Sequence, residues 1–290
     1  MNPLGGLRIV VTRPLAQAAS LADLIRAAGG EPVLFPTIDI VALPDYAELD
    51  AALDRLAQFD LAIFVSANAV QHAFARLVAR AVAGNQGSSG TSGSSGTSAT
   101  STTSGSAVTW PPQTRVAATG PATAAQLVVH LQATGAATGI DHVIYPAARF
   151  DSEGLIAELD RLAMAPQRVL IVRGTGGRDW LFDQLTGRGA RVEVVPSYAR
   201  VRGRARIAPL LDLAATRRIA AVTVTSSEGG ENLIAMLGQD APALCGLPLF
   251  VPHPRIAARM RALGCTQVFE TPGGDAGLMS GLTAHFAKAA

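Results

Sequence analysis

The sequence predicts an α/β fold made of two similar parallel-sheet α/β domains. Three observations carry this. Short β-branched stretches alternate with segments of helical period, the pattern of strands and helices stacked in layers. Strand–turn–helix units of four kinds recur in one order, a-b-c-d-a-b-c-d, which marks an internal duplication. A chain of 290 residues with 49% hydrophobic content is also long enough for two modest cores.

Each unit is readable in turn. "LRIVVTRP" is a strand and loop, followed by a helix with Leu21, Leu24 and Ile25 on one face; "AAGGEPVLFP" then supplies the glycine stop, a second strand and Pro36. This is unit a. "LAIFVSANAV", "TRVAATGPATAAQL" and "DHVIYPAARFDSEGLIAEL" follow as units b, c and d, each a strand, a polar or proline-containing turn and a helix start. In the last, Ser152 precedes the apolar face of Leu155, Ile156, Leu159 and Leu162 and reads as the N-cap. "QRVLIVRGTGGRDWLFDQLTGRGARVEVVP" repeats unit a. "IAAVTVTSSEGGENLI", "LPLFVPHPRIAARMRALG" and "QVFETPGGDAGLMSGL" repeat b, c and d.

One stretch stands outside the pattern. Within the insert at 84–109, only Ala99 between Gly87 and Ser106 is not Gly, Ser or Thr, a composition that buries no apolar surface and behaves as a flexible coil. Repeat order places it between the helix of the first unit b and the strand of the first unit c, as a lengthened surface loop. Long loops add little closure entropy, so its length implies no function.

Composition narrows the function. The N-terminus shows no signal-peptide pattern and no segment approaches a membrane span, which leaves a cytoplasmic location as the expectation. A net charge of +2 predicts no nucleic-acid partner. Cys245 and Cys265 lack metal-ligand and C-x-x-C spacing, so no metal is expected and both read as small buried residues. All basic residues but Lys288 are arginine, the side chain whose planar fork matches carboxylates.

In parallel α/β folds, ligands sit outside the carboxyl ends of the strands. Several polar residues fall there: Thr12 and Arg13 in "VTRP", Ser66 in "VSANAV", Thr119 and Thr123 in "TGPATA", and Ser226 and Ser227 in "TSSEGG". Each serine or threonine also fits a helix cap. "VRGTGGRDW" follows a strand and opens a helix, so its free N–H groups, with Arg173, Gly177 and Arg178, suit an anion. It falls short of a dinucleotide fingerprint, because Asp179 holds the third glycine position, and no Lys-Ser/Thr follows for a P-loop. His253 in "VPHPRIA" reads either as a structural histidine or as an acid or anion contact beside Arg255. In "PSYARVRGRAR", Arg200, Arg202, Arg204 and Arg206 share one face if the segment is extended, and Tyr198 offers a neutral proton donor or a packing group.

Taken in order, "VTRP", "AGGEPVLFPTIDI", "FVSANAV", "ATGPATAAQL", "SEGLIAEL", "VLIVRGTGGRDWLFDQLTGRGARVEVVPSYAR" and "VPHPRIAARMRALG…VFETP" resemble the uroporphyrinogen-III synthase family over nearly the whole chain. The resemblance implies two α/β domains joined by two antiparallel crossings, near 37–42 and 197–200, with the active-site cleft between the domains. The first domain would comprise 1–38 and 200–290, the second 42–197, so the opening unit a joins the last b, c and d. The implied reaction closes linear hydroxymethylbilane, a polycarboxylate, with loss of water and inversion of ring D. It requires no cofactor.

By position, Tyr198 matches the family tyrosine that assists loss of the hydroxyl. Thr12, Arg13, Ser66, Thr123, Ser152, Arg173, Gly177, Ser226, Ser227, His253 and Arg255 become candidates for holding the acetate and propionate arms. "VPHPRIA" departs from the "GP-T-A" pattern of the first half, which leaves the part played by His253 open. The family also implies a monomer, with transient contact to the enzyme that produces hydroxymethylbilane. Two readings from the residues alone stay open beside it: a two-domain binding or sensor protein for an anionic small molecule, and a nucleotide-dependent α/β enzyme using "RGTGG".

Overall fold

The computed structural model describes residues 2–86, 109–134 and 139–287. Most of the Gly/Ser/Thr-rich insert lies outside them. In chain order the elements begin with β1 (Arg8–Val11), α1 (Leu15–Ala27), β2 (Glu31–Leu34), β3 (Ile38–Val41), α2 (Ala47–Asp54), β4 (Leu61–Phe64) and α3 (Ala67–Gln86). There follow β5 (Arg115–Ala118), α4 (Pro121–Ala133), β6 (Val143–Ile144), α5 (Ser152–Arg161), β7 (Arg168–Gly174), α6 (Trp180–Gly187) and β8 (Arg191–Arg202). The chain closes with α7 (Ile207–Ala215), β9 (Ala221–Thr223), α8 (Ser227–Leu237), α9 (Pro242–Cys245), β10 (Leu249–Val251), α10 (Pro254–Ala262), β11 (Val268–Glu270) and α11 (Gly274–Ala287).

Two compact units emerge: Met1–Ile40 with Arg200–Ala290, and Val41–Ala199. The first holds a five-stranded sheet in the order β11-β10-β9-β1-β2, and its strand pairs are parallel. The second sheet runs β3-β8-β7-β4-β5-β6, and β4 to β8 pair in parallel. Leaving out β3, both orders are the same when written by repeat unit: d-c-b, then the two strands of unit a. In each sheet the strands of unit a come from the other half of the sequence.

Helices on both faces explain why the central strands read as unbroken apolar runs. In the first unit Ile9, Val11, Ala221 and Phe250 pack with α1 and α11, while Val10, Val222, Leu249 and Val251 pack with α8, α9 and α10. Successive side chains of each strand therefore supply opposite cores. In the second unit Leu61, Ile63, Ala117, Val169 and Ile171 meet Leu155, Ile156 and Leu159 of α5 and Leu181 and Leu185 of α6. Phe64, Phe74 and Trp110 form an aromatic group in that same unit, with Phe74 stacked on Trp110 at 5.7 Å between ring centroids.

Three local expectations are corrected. The N-cap of α5 is Asp151, whose carboxylate accepts the Gly154 N–H at 2.8 Å, and Ser152 is the first helical residue. A carboxylate one residue earlier outcompetes the serine because it also meets the positive end of the helix dipole. Helix α3 continues through Gln86, past the expected start of the insert at Gly84. Strand β8 stops at Arg202, so Arg200 and Arg202 share a strand face but Arg204 and Arg206 do not join them.

Cys245 and Cys265 are buried free thiols with sulfur atoms 2.6 Å apart, and burial, with the Cys245 thiol adjacent, pushes Cys265 up to about 12. Among the described residues no helix is long and apolar enough to cross a membrane, and no His/Cys/Asp/Glu cluster suits a metal.

Candidate active site

Within the second unit, the carboxyl ends of β4 and β7 and the interior of β8 bring three polar features of the sequence together. Strand β7 pairs with β8 in regular register up to Arg173 opposite Pro196, and then slips so that Gly174 faces Tyr198. The extra residue is Ser197, which is fully buried and whose hydroxyl lies 3.3 Å from the Ala69 carbonyl and 3.4 Å from that of Arg173. A bulge of this kind re-aims the next side chain. Here it sets the Tyr198 ring over Gly174, where the absence of a Cβ makes room: one built on Gly174 would lie 2.6 Å from Cε2 and Cζ.

The phenol is thereby delivered to the start of α3. Tyr198 is 4% exposed, and its hydroxyl is 3.1 Å from Ser66 Oγ. Ser66 is the residue before α3, and its Oγ accepts the Ala69 N–H at 3.1 Å, as an N-cap does. The His72 ring lies 5.5 Å from that of Tyr198, and burial holds the His72 pKa below the ordinary histidine value. A neutral imidazole thus stands beside the phenol at neutral pH. Asn68 is 8% exposed, and its side-chain nitrogen is buried without a hydrogen-bond partner among the described residues.

Asn68 and His72 escaped the sequence reading. They are four apart on one helix, the spacing of neighbours on a helix face, which was the only signal available for them.

The remaining candidates of this unit are more committed. The Thr123 side chain is buried in α4. Gly177 adopts φ +105, a conformation that favours glycine, in the turn before α6. Arg173 pairs with Asp179 at 2.9 Å and donates to the Arg178 carbonyl at 3.2 Å. Arg178 in turn pairs with Glu153 at 2.8 Å, and that hydrogen bond, with Arg149 nearby, holds the Glu153 carboxyl down at about 2. The arginines of the "RGTGGRD" turn therefore already hold internal carboxylates.

The first unit presents its own set of strand-end groups. Thr12 is buried and donates to the Thr223 carbonyl at 2.8 Å, while the Thr12 carbonyl accepts from Thr37. Arg13 is ion-paired with Asp275. Ser226 caps α8 through the Gly229 N–H at 3.0 Å, and the adjacent Ser227 Oγ is buried with no partner among the described residues. His253 caps α10, its Nδ1 accepting the Arg255 N–H at 3.0 Å. That assigns His253 a structural hydrogen bond and leaves only Nε2 for any other task. Arg255 is exposed and makes no ion pair among the described residues. Arg200 pairs with Glu228 at 2.6 Å.

Comparison with known proteins converges on one family. A family model described as "Uroporphyrinogen-III synthase HemD" matches residues 19–277. The chain is similar to the uroporphyrinogen-III synthase of Salmonella typhimurium, 29% identical over 260 residues, which cover 89% of this chain and 92% of the relative. It is also similar to that of Synechococcus elongatus, 31% identical over 198 residues, covering 68% of this chain and 62% of the relative. Among solved structures, a mutant uroporphyrinogen III synthase from the extremely thermophilic bacterium Thermus thermophilus aligns over 98% of each chain at 17% identity with a TM-score of 0.57. The Helicobacter pylori synthetase aligns over 98% of this chain and 99% of its own, at 11% identity and a TM-score of 0.51. These two share the fold; the family model and the sequence relatives carry the assignment. The chain is a member of the uroporphyrinogen-III synthase family.

Proposed function

We infer that this chain closes linear hydroxymethylbilane to uroporphyrinogen III, with loss of water and inversion of the last pyrrole ring. The observation that carries the reading is the Tyr198 phenol, seated over Gly174 and hydrogen-bonded to Ser66 at a strand-end position where ligands of parallel sheets bind. An electron-rich pyrrole expels a hydroxyl as water once that oxygen is protonated, leaving an azafulvene cation. A neutral phenol is a sufficient donor for this step. The neighbouring His72 is kept neutral by burial, so no fixed positive charge opposes the cation as it forms.

What then distinguishes the type III product is geometry, and holding a flexible polycarboxylate in one fold is a proximity effect. In this reading the carboxylate arms are taken by helix-start N–H groups, by Ser227 and by Arg255. Arg13 and Arg173 would serve by exchanging Asp275 and Asp179 for substrate carboxylates.

The test is direct. Purified protein supplied with freshly generated hydroxymethylbilane is expected to shift the product from the type I to the type III isomer. Chromatography showing only type I would reject the reading, and tight binding without conversion would favour a non-catalytic binding protein.

A further inference from the structure

The residue pattern offers Ser66 as a holder of a substrate arm; the geometry points to a different task. We propose that Ser66 is a positioning residue that acts through Tyr198, directing the phenol proton outward and steadying the oxygen it leaves behind. This rests on the synthase reading above.

Ser66 Oγ already accepts the Ala69 N–H at 3.1 Å, and among the described residues its own single proton has one acceptor within reach, Tyr198 Oη at 3.1 Å. A serine hydroxyl carries one donor and two acceptor sites. If Tyr198 donated to Ser66, the serine would accept twice and its proton would have no partner among the described residues. If Ser66 donates, the order is Ala69 N–H to Ser66, Ser66 O–H to Tyr198, and the tyrosine proton is left for a third oxygen. Either direction leaves one proton for the substrate, and the helix that Ser66 caps selects the tyrosine's.

The chain of hydrogen bonds also starts at the amino end of α3, a helix of 20 residues. The helix dipole and each bond in the series polarise the next in the same sense, toward donation by Tyr198. Bulging at Ser197 and the close seat over Gly174 hold the phenol in this alignment.

The Tyr198 proton passes to the leaving hydroxyl, the carbon–oxygen bond breaks with its pair on oxygen, and water departs. The pyrrole nitrogen lone pair forms the exocyclic double bond. Ser66 donates to the phenolate until the proton released when the pyrrole rearomatises after ring closure restores it, so the net change is loss of one water.

The decisive contrast is Ser66→Asp against Ser66→Thr, assayed as full-length protein on freshly generated hydroxymethylbilane. Aspartate keeps the cap on α3, yet as a carboxylate it has no proton to give Tyr198; threonine keeps both. Ser66→Asp is expected to lower kcat roughly 10- to 100-fold, the range for losing a hydrogen bond to a developing anion, with KM within a few-fold. Ser66→Thr is expected to recover most of kcat. Full kcat in Ser66→Asp, or a loss confined to KM as an arm-holder would show, overturns the proposal. Should Ser66→Asp not fold, Ser66→Ala combined with Tyr198→Phe decides: Ser66→Ala is expected to cost nothing further once the phenol is gone, and additive losses in kcat overturn the idea. A wild-type enzyme that makes no type III product would instead sink the synthase reading itself.

Discussion

The ring of Tyr198 lies flat enough against Gly174 that a Cβ on that glycine would stand 2.6 Å from Cζ and 2.9 Å from the hydroxyl oxygen. Glycine here is a requirement of the neighbour and not of its own backbone, since Gly174 is absent from the positive-φ residues. Gly174→Ala must push the ring off its seat. We expect a loss of about 1–3 kcal/mol in stability, typical of overpacking, together with a fall in turnover. Denaturant titration and the rate of type III formation check both parts, and an unchanged rate would show that the exact seat of the ring does not matter.

Tyr198→Phe separates the ring from its hydroxyl. The ring keeps its burial and its contact with Gly174, while the Ser66 hydrogen bond is lost, at about 1 kcal/mol. Turnover is expected to fall at least roughly 100-fold if the phenol is the proton donor. A variant that folds and turns over at the wild-type rate removes Tyr198 from the chemistry.

Much of this arrangement was legible from residue pattern. Period, turn residues and repeat order mark the parallel α/β layers, because buried strands and capped helices leave local signals in composition. The sheet orders also follow the repeat units. What could not be read is the pairing of distant residues. Nothing near Tyr198 in the chain announces that Ser66, 132 positions away, accepts or donates to it. Nor does spacing announce the bulge at Ser197, which decides that Tyr198 and not Ser197 faces Gly174. The duplication itself shows the limit: "VPSYAR" aligns with "FPTIDI", so Ile38 occupies the place of Tyr198 in the other half. The two halves share caps, since Ser66 and Ser226 both close a helix start, but one half carries the phenol.

The cap of α5 gives a sharp local test, because the correction from Ser152 to Asp151 changes which substitution should hurt. Asp151 accepts the Gly154 N–H at 2.8 Å and is also ion-paired with Arg149 at 2.7 Å. Asp151→Ala is expected to cost about 1 kcal/mol, the usual value of an N-cap. Ser152→Ala, at the first helical position, should stay within about 0.5 kcal/mol. Equal effects in thermal unfolding would mean that the serine shares the cap.

The acid side of the stability profile should be set in part by two carboxylates of the second unit. Asp50 is held down at about 2 mainly by its hydrogen bond from Arg76, with Arg80 adding to it, and Glu153 is held at about 2 mainly by Arg178. Both native values lie below the ordinary 3.8 and 4.5, so the folded state binds fewer protons than the unfolded one in this window. Stability from these pairs is fully present above about pH 5 and is lost as pH falls toward about 2. Both side chains are partly exposed, Asp50 at 22% and Glu153 at 21%, so solvent screening keeps the contribution of each pair modest. Asp50→Asn and Glu153→Gln should each lower stability at neutral pH and flatten its decline between pH 5 and 2. Denaturant midpoints measured across that range at fixed salt test the sign. A variant whose acid limb remains parallel to that of the wild type would show that its carboxylate does not govern the acid response.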